Sequence, residues 1–232
     1  MPVGIGGEAT WVCPTISGNV AAVDISGNSV AFTQLAAVTV VADTGSGGSY
    51  AFDFPKLTGN LVHTTAGVTS IKSLSQWVKL DSNAYSRIWS TRNNTVIGYL
   101  NNGPFATYYS GVSHDGSVTR SISTWYHLVD MFDGATWTRY VDGVQTQTAV
   151  QTATWLTGSI LYYGGKSGDA SGDRYDGQMD DMRTFDRVIT QAEITHLATA
   201  RGVLGGPGGS DGYNAFTSAI YNPRNYNNTR FG

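Results

Sequence analysis

The chain has 232 residues, of which 41% are hydrophobic and only 13% charged, and it carries a formal net charge of −3. Its length fits one large all-β domain with terminal segments, because such domains reach about 250 residues. The single cysteine, Cys13, excludes an internal disulfide framework, and the slightly negative charge argues against binding to nucleic acid or an anionic membrane.

The chain opens with a short glycine-rich segment, 1–8, which we treat as separate from the domain. It has neither a basic start nor an apolar stretch, so it does not resemble a secretory signal. The longest apolar run, 35–42, is far shorter than the ~20 residues that span a bilayer. We therefore expect no membrane insertion, and a location outside the cell or on a virion surface without a visible signal peptide.

Acid usage and residue alternation both indicate strands. Only two glutamates, Glu8 and Glu193, stand against 15 aspartates, and aspartate favours turns over helices. Seven stretches alternate apolar and polar residues at period two, as half-buried strands do. These stretches are 75–80, 86–90, 96–100, 125–132, 137–141, 158–163 and 178–185.

Asn-Gly and Asp-Gly pairs, which are typical of tight turns, separate the stretches. Asn101-Asn-Gly is one such break, and four Asp-Gly pairs, at Asp115, Asp133, Asp142 and Asp176, are the others. Asp-Gly between β-branched or aromatic runs is a strong hairpin signal. The spacing predicts a sandwich or barrel rather than alternating strands and helices.

One helix is predicted after the last strand. Thr190 and Glu193 form a capping box, with Thr190 as the N-cap, and Gly202 is placed as the glycine that ends the helix. Ile194, Leu197 and Ala198 follow at helical spacing.

Beyond Leu204 the composition changes. Residues 205–212 form a glycine-rich linker without packing side chains, and 213–232 form a segment that is rich in aromatic residues and arginine. A mobile end is one interpretation, but disordered tails are usually poor in aromatic residues. We therefore favour an arm that docks on neighbouring subunits by adding a strand or lying along an edge. Its candidate contact residues are Tyr213, Phe216, Tyr221, Arg224, Tyr226, Arg230 and Phe231.

Several motifs resemble those of laminin-G-like jelly rolls of the concanavalin A-like lectin/glucanase superfamily. The motifs are 24–28 (DISGN), 47–54 (GGSYAFDF), 125–129 (WYHLV), 132–134 (FDG), 140–143 (YVDG) and 175–194, in the expected order. The resemblance covers residues 9–202, although Phe54 replaces a usual glycine and the C-terminal arm is additional. It implies an all-β, two-sheet antiparallel jelly-roll sandwich, with six or seven strands in each sheet, over a domain at 9–204.

The resemblance raises the question of catalysis, since the superfamily contains glucanases. Those members place Glu-x-Asp-x-Glu on one strand, a motif that two glutamates at opposite ends of this chain do not form. Asp180 and Asp181 are expected on opposite faces of a strand, and His127 is interpreted as structural. We expect no enzyme activity.

A structural calcium ion is also implied by the resemblance. It would lie between the opening loop, with Asp24 and Asn28, and one of Asp180 or Asp181 in the last strand. The alternative is that these residues form turns and strand-end hydrogen bonds. No other cofactor is expected.

Glycan contact is a further expectation, because aromatic side chains with a polar rim bind sugars. The available residues are Tyr108, Tyr109, Trp155, Tyr162 and Tyr163. Half of each strand must face the core, so most aromatic residues are packing residues and specific contacts are not assigned.

Two functions remain open. The first is a non-enzymatic structural and adhesion protein displayed on a large assembly, such as a virus or phage particle or an extracellular filament. In it the arm docks on neighbouring subunits of the same or another structural protein, and the jelly roll is exposed to glycans. The alternative is a free-standing, calcium-supported, lectin-like carbohydrate-binding module.

Overall fold

The structure is a computed structural model, and it describes the central part of the chain with gaps. The described residues are 9–12, 23–24, 32–34, 38–42, 50–56, 61–63, 71–91, 96–109, 111–150, 161–165 and 173–199. The predicted N-terminal segment 1–8, linker 205–212 and arm 213–232 lie outside them.

Within these residues the chain forms sixteen strands and one helix. The strands are β1 Ala9–Val12, β2 Val23–Asp24, β3 Phe32–Gln34, β4 Thr39–Ala42, β5 Tyr50–Phe54, β6 Leu61–His63, β7 Ser73–Leu80, β8 Ser86–Thr91, β9 Val96–Leu100, β10 Pro104–Tyr109, β11 Val112–Thr119, β12 Trp125–Phe132, β13 Thr136–Val141, β14 Val144–Val150, β15 Leu161–Tyr163 and β16 Gly177–Phe185. The helix α1 is Gln191–Leu197. None of the described helical residues forms a segment long and apolar enough to span a membrane.

The strands form two antiparallel sheets. The larger sheet has the order β14-β13-β12-β7-β16-β1-β2, and β5 pairs with the other end of β16 and with β4. The smaller sheet has the order β11-β10-β9-β8-β15-β6-β3. This arrangement confirms the predicted all-β jelly-roll sandwich with one short helix. The nine described strands of the larger sheet exceed the expected six or seven.

The strands predicted from alternation are confirmed wherever the structure describes them. For 158–163, only Leu161–Tyr163 lies in the described residues, as β15. Strands β1–β6, β10, β11 and β14 were not among the predicted stretches. Strands β11 and β14 lie at the ends of their sheets and carry polar residues or glycine at most positions, so they lack the apolar alternation that marks a half-buried strand.

The predicted turns are correct at three of five positions. Asn102, Asp142 and Gly143 have positive φ, and with the turn at Asp133 they join consecutive strands. Asp115-Gly is not a turn: it lies inside β11, where a Cβ on Gly116 would come within 2.6 Å of the Phe105 carbonyl oxygen. Asp176-Gly opens β16 instead, because Gly177 packs directly against the Lys79 carbonyl. Both glycines allow close backbone approach rather than chain reversal.

An ion pair lies in the core between the sheets. The Asp130 carboxylate accepts hydrogen bonds from the Arg139 guanidinium at 2.8 and 2.9 Å and from the indoles of Trp89, at 3.0 Å, and Trp137, at 3.2 Å. Both charged side chains are 1% exposed. A buried charge without partners would be strongly unfavourable, so these four bonds join both sheets through one satisfied carboxylate.

Helix α1 begins as predicted and ends earlier than predicted. The Thr190 side chain accepts from the Glu193 backbone, and the Glu193 side chain accepts from the Thr190 backbone, which confirms the capping box. The C-cap is Ala198, so the placement of Gly202 as the terminating glycine is wrong. The Thr199 hydroxyl donates to the His196 carbonyl and satisfies the last turn locally, without a glycine.

Candidate functional site

The outer face of the smaller sheet carries a row of aligned side chains. Arg87 on β8 pairs with Tyr99 on β9, which pairs with Ala106 on β10, which pairs with Asp115 on β11. Because side chains alternate along each strand, this row faces away from the core that holds Leu100 and Phe105. Four strands therefore bring aromatic and charged groups together on one face.

Tyrosine rings cluster around Ala106 on this face. The rings of Tyr85 and Tyr99 lie 5.3 Å apart between centroids, and Tyr85 and Tyr108 pack on the cluster of Tyr99 and Ala106. Ala106 is fully buried beneath the rings, whereas Tyr85 and Tyr108 remain partly exposed. The small alanine side chain lets the larger rings approach one another. We call this surface the tyrosine face and define it by Tyr85, Arg87, Tyr99, Ala106, Tyr108, Ser113 and Asp115.

A polar rim borders the rings. The Tyr99 hydroxyl donates to Asp115 Oδ1 at 2.9 Å and contacts the Ser113 hydroxyl, which itself donates to Asp115 Oδ1 at 2.7 Å. The hydrogen bond from Ser113 is the main cause that lowers the pKa of Asp115, while burial raises the pKa of Tyr99 to about 12. Asp115 is therefore an exposed, ionised carboxylate beside partly exposed rings.

The other end of the row is also charged. The Arg87 guanidinium lies 6.0 Å over the Tyr85 ring and 3.0 Å from Asp173. A surface with flat rings, an ionised carboxylate and an arginine can stack on an apolar plane and exchange hydrogen bonds with hydroxyl groups around it.

The five aromatic residues suggested by the sequence separate into different surroundings. Tyr108 lies on the tyrosine face, and Tyr162 pairs with Ser90 on β8 and is almost fully buried. Tyr109 and Tyr163 are core residues with no exposure, and Trp155 lies outside the described residues. Tyr85 and Tyr99 were not among the predicted aromatic residues. The alternation within 96–100 could have assigned Tyr99 to the outer face of its strand. No sequence pattern assigned Tyr85 to this face, because it lies just before β8.

Two of the four predicted calcium ligands, Asp180 and Asp181, lie in β16. Asp181 binds Arg183 through both carboxylate oxygens, at 2.8 and 2.7 Å, in a fully buried ion pair. Asp180 accepts a hydrogen bond from the Asp181 backbone. The side chain of Asp24 and the whole of Asn28 lie outside the described residues.

The Asp181 carboxylate already faces a cationic side chain of the chain itself. Its carboxylate is already neutralised by Arg183, which would compete with a cation. Across the described ranges, no group of three or more His, Cys, Asp or Glu is arranged to hold a metal ion. Calcium binding stays a prediction, with Asp180 as the better of the two strand candidates.

A second acidic group was missed because its members are distant in sequence. Asp53, Asp81 and Asp176 lie at the ends of neighbouring strands, where the Asp81 backbone donates to the Asp176 carbonyl at 3.0 Å. Burial, and then mutual repulsion, raise the pKa values of Asp53 and Asp81.

His127 is buried on the opposite side of the sandwich, on the outer face of the larger sheet. Its Nε2 lies 2.8 Å from the Ser75 hydroxyl, and its ring lies 5.2 Å from that of Trp77. Burial, with a smaller effect of Arg183, lowers the pKa of His127 to about 3. This environment agrees with the structural interpretation of His127.

Comparison with known families identifies the class of protein. Residues 46–195 match a family model described as the concanavalin A-like lectin/glucanases superfamily, and the chain belongs to that superfamily. The matching model is a laminin G model, which confirms the resemblance seen in the motifs. A search of curated proteins finds no match.

Solved structures with the same fold come from varied proteins. One is domain 4 of AbnA, an extracellular GH43 arabinanase from Geobacillus stearothermophilus, in complex with arabinotriose, with 17% identity, a TM-score of 0.61, and coverage of 75% of this chain and 91% of that one. Another is the binding domain of Paraclostridial Mosquitocidal Protein 1, with 13% identity, a TM-score of 0.66, and coverage of 84% and 52%. A third is Trypanosoma rangeli sialidase in complex with sialic acid, with 15% identity, a TM-score of 0.65, and coverage of 82% and 32%. This chain thus spans about half of the toxin domain and a third of the sialidase.

Proposed function

We propose that the chain is a carbohydrate-binding module without catalytic activity of its own, and that the tyrosine face is its binding surface. The observation that carries the proposal is the juxtaposition of partly exposed Tyr85 and Tyr108 with the ionised, exposed carboxylate of Asp115. Stacked rings bind the apolar plane of a sugar, and a carboxylate accepts hydrogen bonds from its hydroxyl groups.

The similar folds support this class of ligand. The arabinanase domain was solved with arabinotriose and the sialidase with sialic acid. A non-catalytic role is supported by the charges on the tyrosine face. Glycoside hydrolysis uses two carboxylates that flank the scissile bond, but Asp115 lies at one end of the row and Asp173 pairs with Arg87 at the other.

The test measures binding of the full chain to a panel of soluble neutral and sialylated oligosaccharides by isothermal titration calorimetry, with calcium and with chelator. We expect Tyr108→Ala to lower affinity roughly fivefold to a hundredfold, since loss of one stacked ring costs about 1–3 kcal/mol. Tyr140→Ala is the matched control, because Tyr140 is a partly exposed tyrosine on the other sheet. Absence of binding at millimolar sugar, or equal losses in both variants, would contradict the proposal. An affinity that falls with chelator would favour the calcium-supported module.

A second proposal is that the module is displayed on a large assembly, such as a virus or phage particle or an extracellular filament, with segment 213–232 docking on neighbouring subunits. The observation that favours it is the exposure of two uncharged or weakly charged edge strands, β11 and β14. Sedimentation analysis of the full chain tests it. We expect a defined oligomer or polymer, and a monomer at all concentrations would overturn it.

A further inference from the structure

Strands β11 and β14 lie side by side along one edge of the sandwich. Each is the last strand of its sheet in the described residues, and Gln147 on β14 donates to the His114 carbonyl on β11 at 3.2 Å. The His114 ring also stacks on Trp137, at 5.7 Å between centroids. We call the surface formed by Val112–Thr119 and Val144–Val150 the edge wall.

The edge wall lacks the usual protection of a sheet edge. Strand β14 contains no charged residue and no proline, and Asp115 is the only carboxylate on β11. Four valines of the wall are exposed, and Val150 is 80% exposed. They are Val112, Val118, Val144 and Val150. Soluble proteins usually cover such edges or mark them with lysine or proline, so the β14 edge, which is uncharged and carries exposed valines, suits an added strand.

A bulge restricts what this strand can be. The β13–β14 register shifts between Arg139 and Tyr140, so Thr146 is an extra residue and regular pairing is restored over 147–150. Two rigid bulged edges pair poorly with each other, whereas a flexible segment can adapt to a short regular stretch. The wall therefore favours a chain segment over the β14 strand of a second molecule.

We propose that the β14 edge at 147–150 accepts segment 213–232 of a neighbouring copy as an added strand. This inference rests on the proposed assembly function and assigns the docking surface for it. In the proposed assembly the occupant comes from another copy, and the side chains of Val144 and Val150 lie exposed along the acceptor strand.

The position at which the described chain ends supports an exchange between copies. Helix α1 packs against the turn that begins β14, since Gln191 Nε2 donates to the Gly143 carbonyl at 2.9 Å. The described residues end at Thr199, just after this helix. The 13 residues at 200–212 span up to about 43 Å when extended, against about 24 Å for β14, so the segment can reach an adjacent copy.

The charges of the two partners are complementary. Segment 213–232 contains Arg224 and Arg230 and no acidic residue. Asp133 lies where β14 ends, because it accepts from the backbone of Thr136, the partner of Val150. The pKa of Asp133 is lowered by backbone hydrogen bonds from Ala135 and Thr136, so its carboxylate is ionised at neutral pH.

The experiment uses full-length variants that each lose one half of the contact. Val150→Lys places a charge on the acceptor edge, and a Tyr221→Ser, Tyr226→Ser double variant weakens the donor segment. Val188→Lys is the matched control, because Val188 is exposed outside the edge wall. Mass is measured by sedimentation for each variant alone and for the first two mixed in equal amounts.

We expect the acceptor and donor variants to be at least tenfold weaker in self-association than the unmodified chain, and Val188→Lys to be unchanged. In the mixture, the intact segment of one variant meets the intact edge of the other, so a 1:1 complex should form. If the tyrosine variant loses self-association and Val150→Lys keeps it, this docking surface is overturned but the assembly function is not. Two defective variants that form no complex when mixed would also overturn it. A monomeric unmodified chain would overturn the assembly function itself.

Discussion

The two outer faces of the sandwich are both formed by alternate residues of their strands, but one is covered and the other is exposed. On the larger sheet, α1 covers Val129, Met131 and Phe185 with Ile194 and Leu197, and the neighbouring polar residues His127 and Arg183 are buried as well. On the smaller sheet, the tyrosine face keeps Tyr85, Tyr108 and Asp115 at least partly exposed. One face therefore contributes stability and the other is available for a ligand, although period two alone marks both as outward.

The largest expected effect is on the outer face of the larger sheet, which α1 covers and which we call the covered face. Ile194→Ala should lower the free energy of unfolding by about 2–5 kcal/mol, because it leaves a cavity between α1 and the sheet. Thr195→Ala on the exposed side of α1 is the control and should change stability by less than about 1 kcal/mol. Urea unfolding of both variants measures the difference, and equal effects would show that the helix does not seal this face.

Acid should destabilise the covered face through His127. Its pKa falls to about 3 in the folded protein because burial disfavours the charged ring, so the unfolded chain binds the proton more readily. Stability is complete above the unfolded pKa of about 6.5 and falls by about 1.4 kcal/mol for each pH unit below it. Unfolding free energies at pH 7 and pH 5 should differ accordingly in the unmodified chain and less in His127→Gln. A pH-independent stability in this range would contradict the assignment.

A substitution on the tyrosine face should change ligand affinity more than stability. Tyr108→Ala removes a partly exposed ring, so we expect less than about 1 kcal/mol of lost stability together with the affinity loss described above. Thermal unfolding and sugar titration of one preparation measure both quantities. A stability loss as large as that of Ile194→Ala would show that the tyrosine face is a second core.

Substitution in the capping box of α1 tests what stabilises the start of the helix on the covered face. Thr190→Ala should cost about 1 kcal/mol because the cap to the helix backbone is lost. The Arg187 hydrogen bond lowers the pKa of Glu193 to about 2, so its contribution is present above pH 4.5 and is lost as the pH falls toward 2. Urea unfolding of Thr190→Ala and the unmodified chain at pH 7 measures the cap, and unfolding of the unmodified chain and Glu193→Gln at pH 7 and pH 3 measures the carboxylate. A Thr190→Ala variant as stable as the unmodified chain would contradict the cap, and equal pH dependence of the unmodified chain and Glu193→Gln would contradict the role of the carboxylate.

The smallest expected effect is at the acidic group of Asp53, Asp81 and Asp176. Asp81→Asn should stabilise the fold by roughly 0.5 kcal/mol at pH 7, because it removes repulsion between partly exposed carboxylates. The raised pKa values mean that this gain disappears as the pH falls and the carboxyl groups are protonated. Melting temperatures at pH 7 and pH 4 provide the comparison, and a gain that persists at pH 4 would require another cause.

Strands with buried apolar positions could be predicted, whereas edge strands could not. Stretch 125–132 is mostly apolar because both neighbouring strands and the core bury it, and it is β12 to the residue. Strands β11 and β14 have one neighbour and little burial, so their sequences carry Ser, Thr and Gln without a period. The Asp-Gly at Asp115 then resembled a turn, although the glycine serves the approach of the Phe105 carbonyl.

The sequence predicted an aromatic binding surface but not which residues form it. Aromatic residues were numerous enough for a sugar-binding surface, but Tyr108 and Tyr109 are neighbours in sequence and only Tyr108 faces outward. Tyr85 precedes β8 and joins the tyrosine face through its contact with Tyr99 on β9, a contact that no pattern within one strand predicts. Asp181 was predicted as a candidate calcium ligand, and the sequence did not indicate that Arg183 lies 2.8 Å from its carboxylate.

The sequence by itself determined the all-β class, the capped helix and the membership in a jelly-roll superfamily, because these depend on local periodicity, turn chemistry and ordered motifs. Only the tertiary structure decided which outer face is covered, which tyrosines meet across β9–β11, and which carboxylates are neutralised. The reason is physical: alternation assigns a residue to one side of its strand, but burial and charge pairing depend on the strands beside it, and those neighbours are distant in sequence.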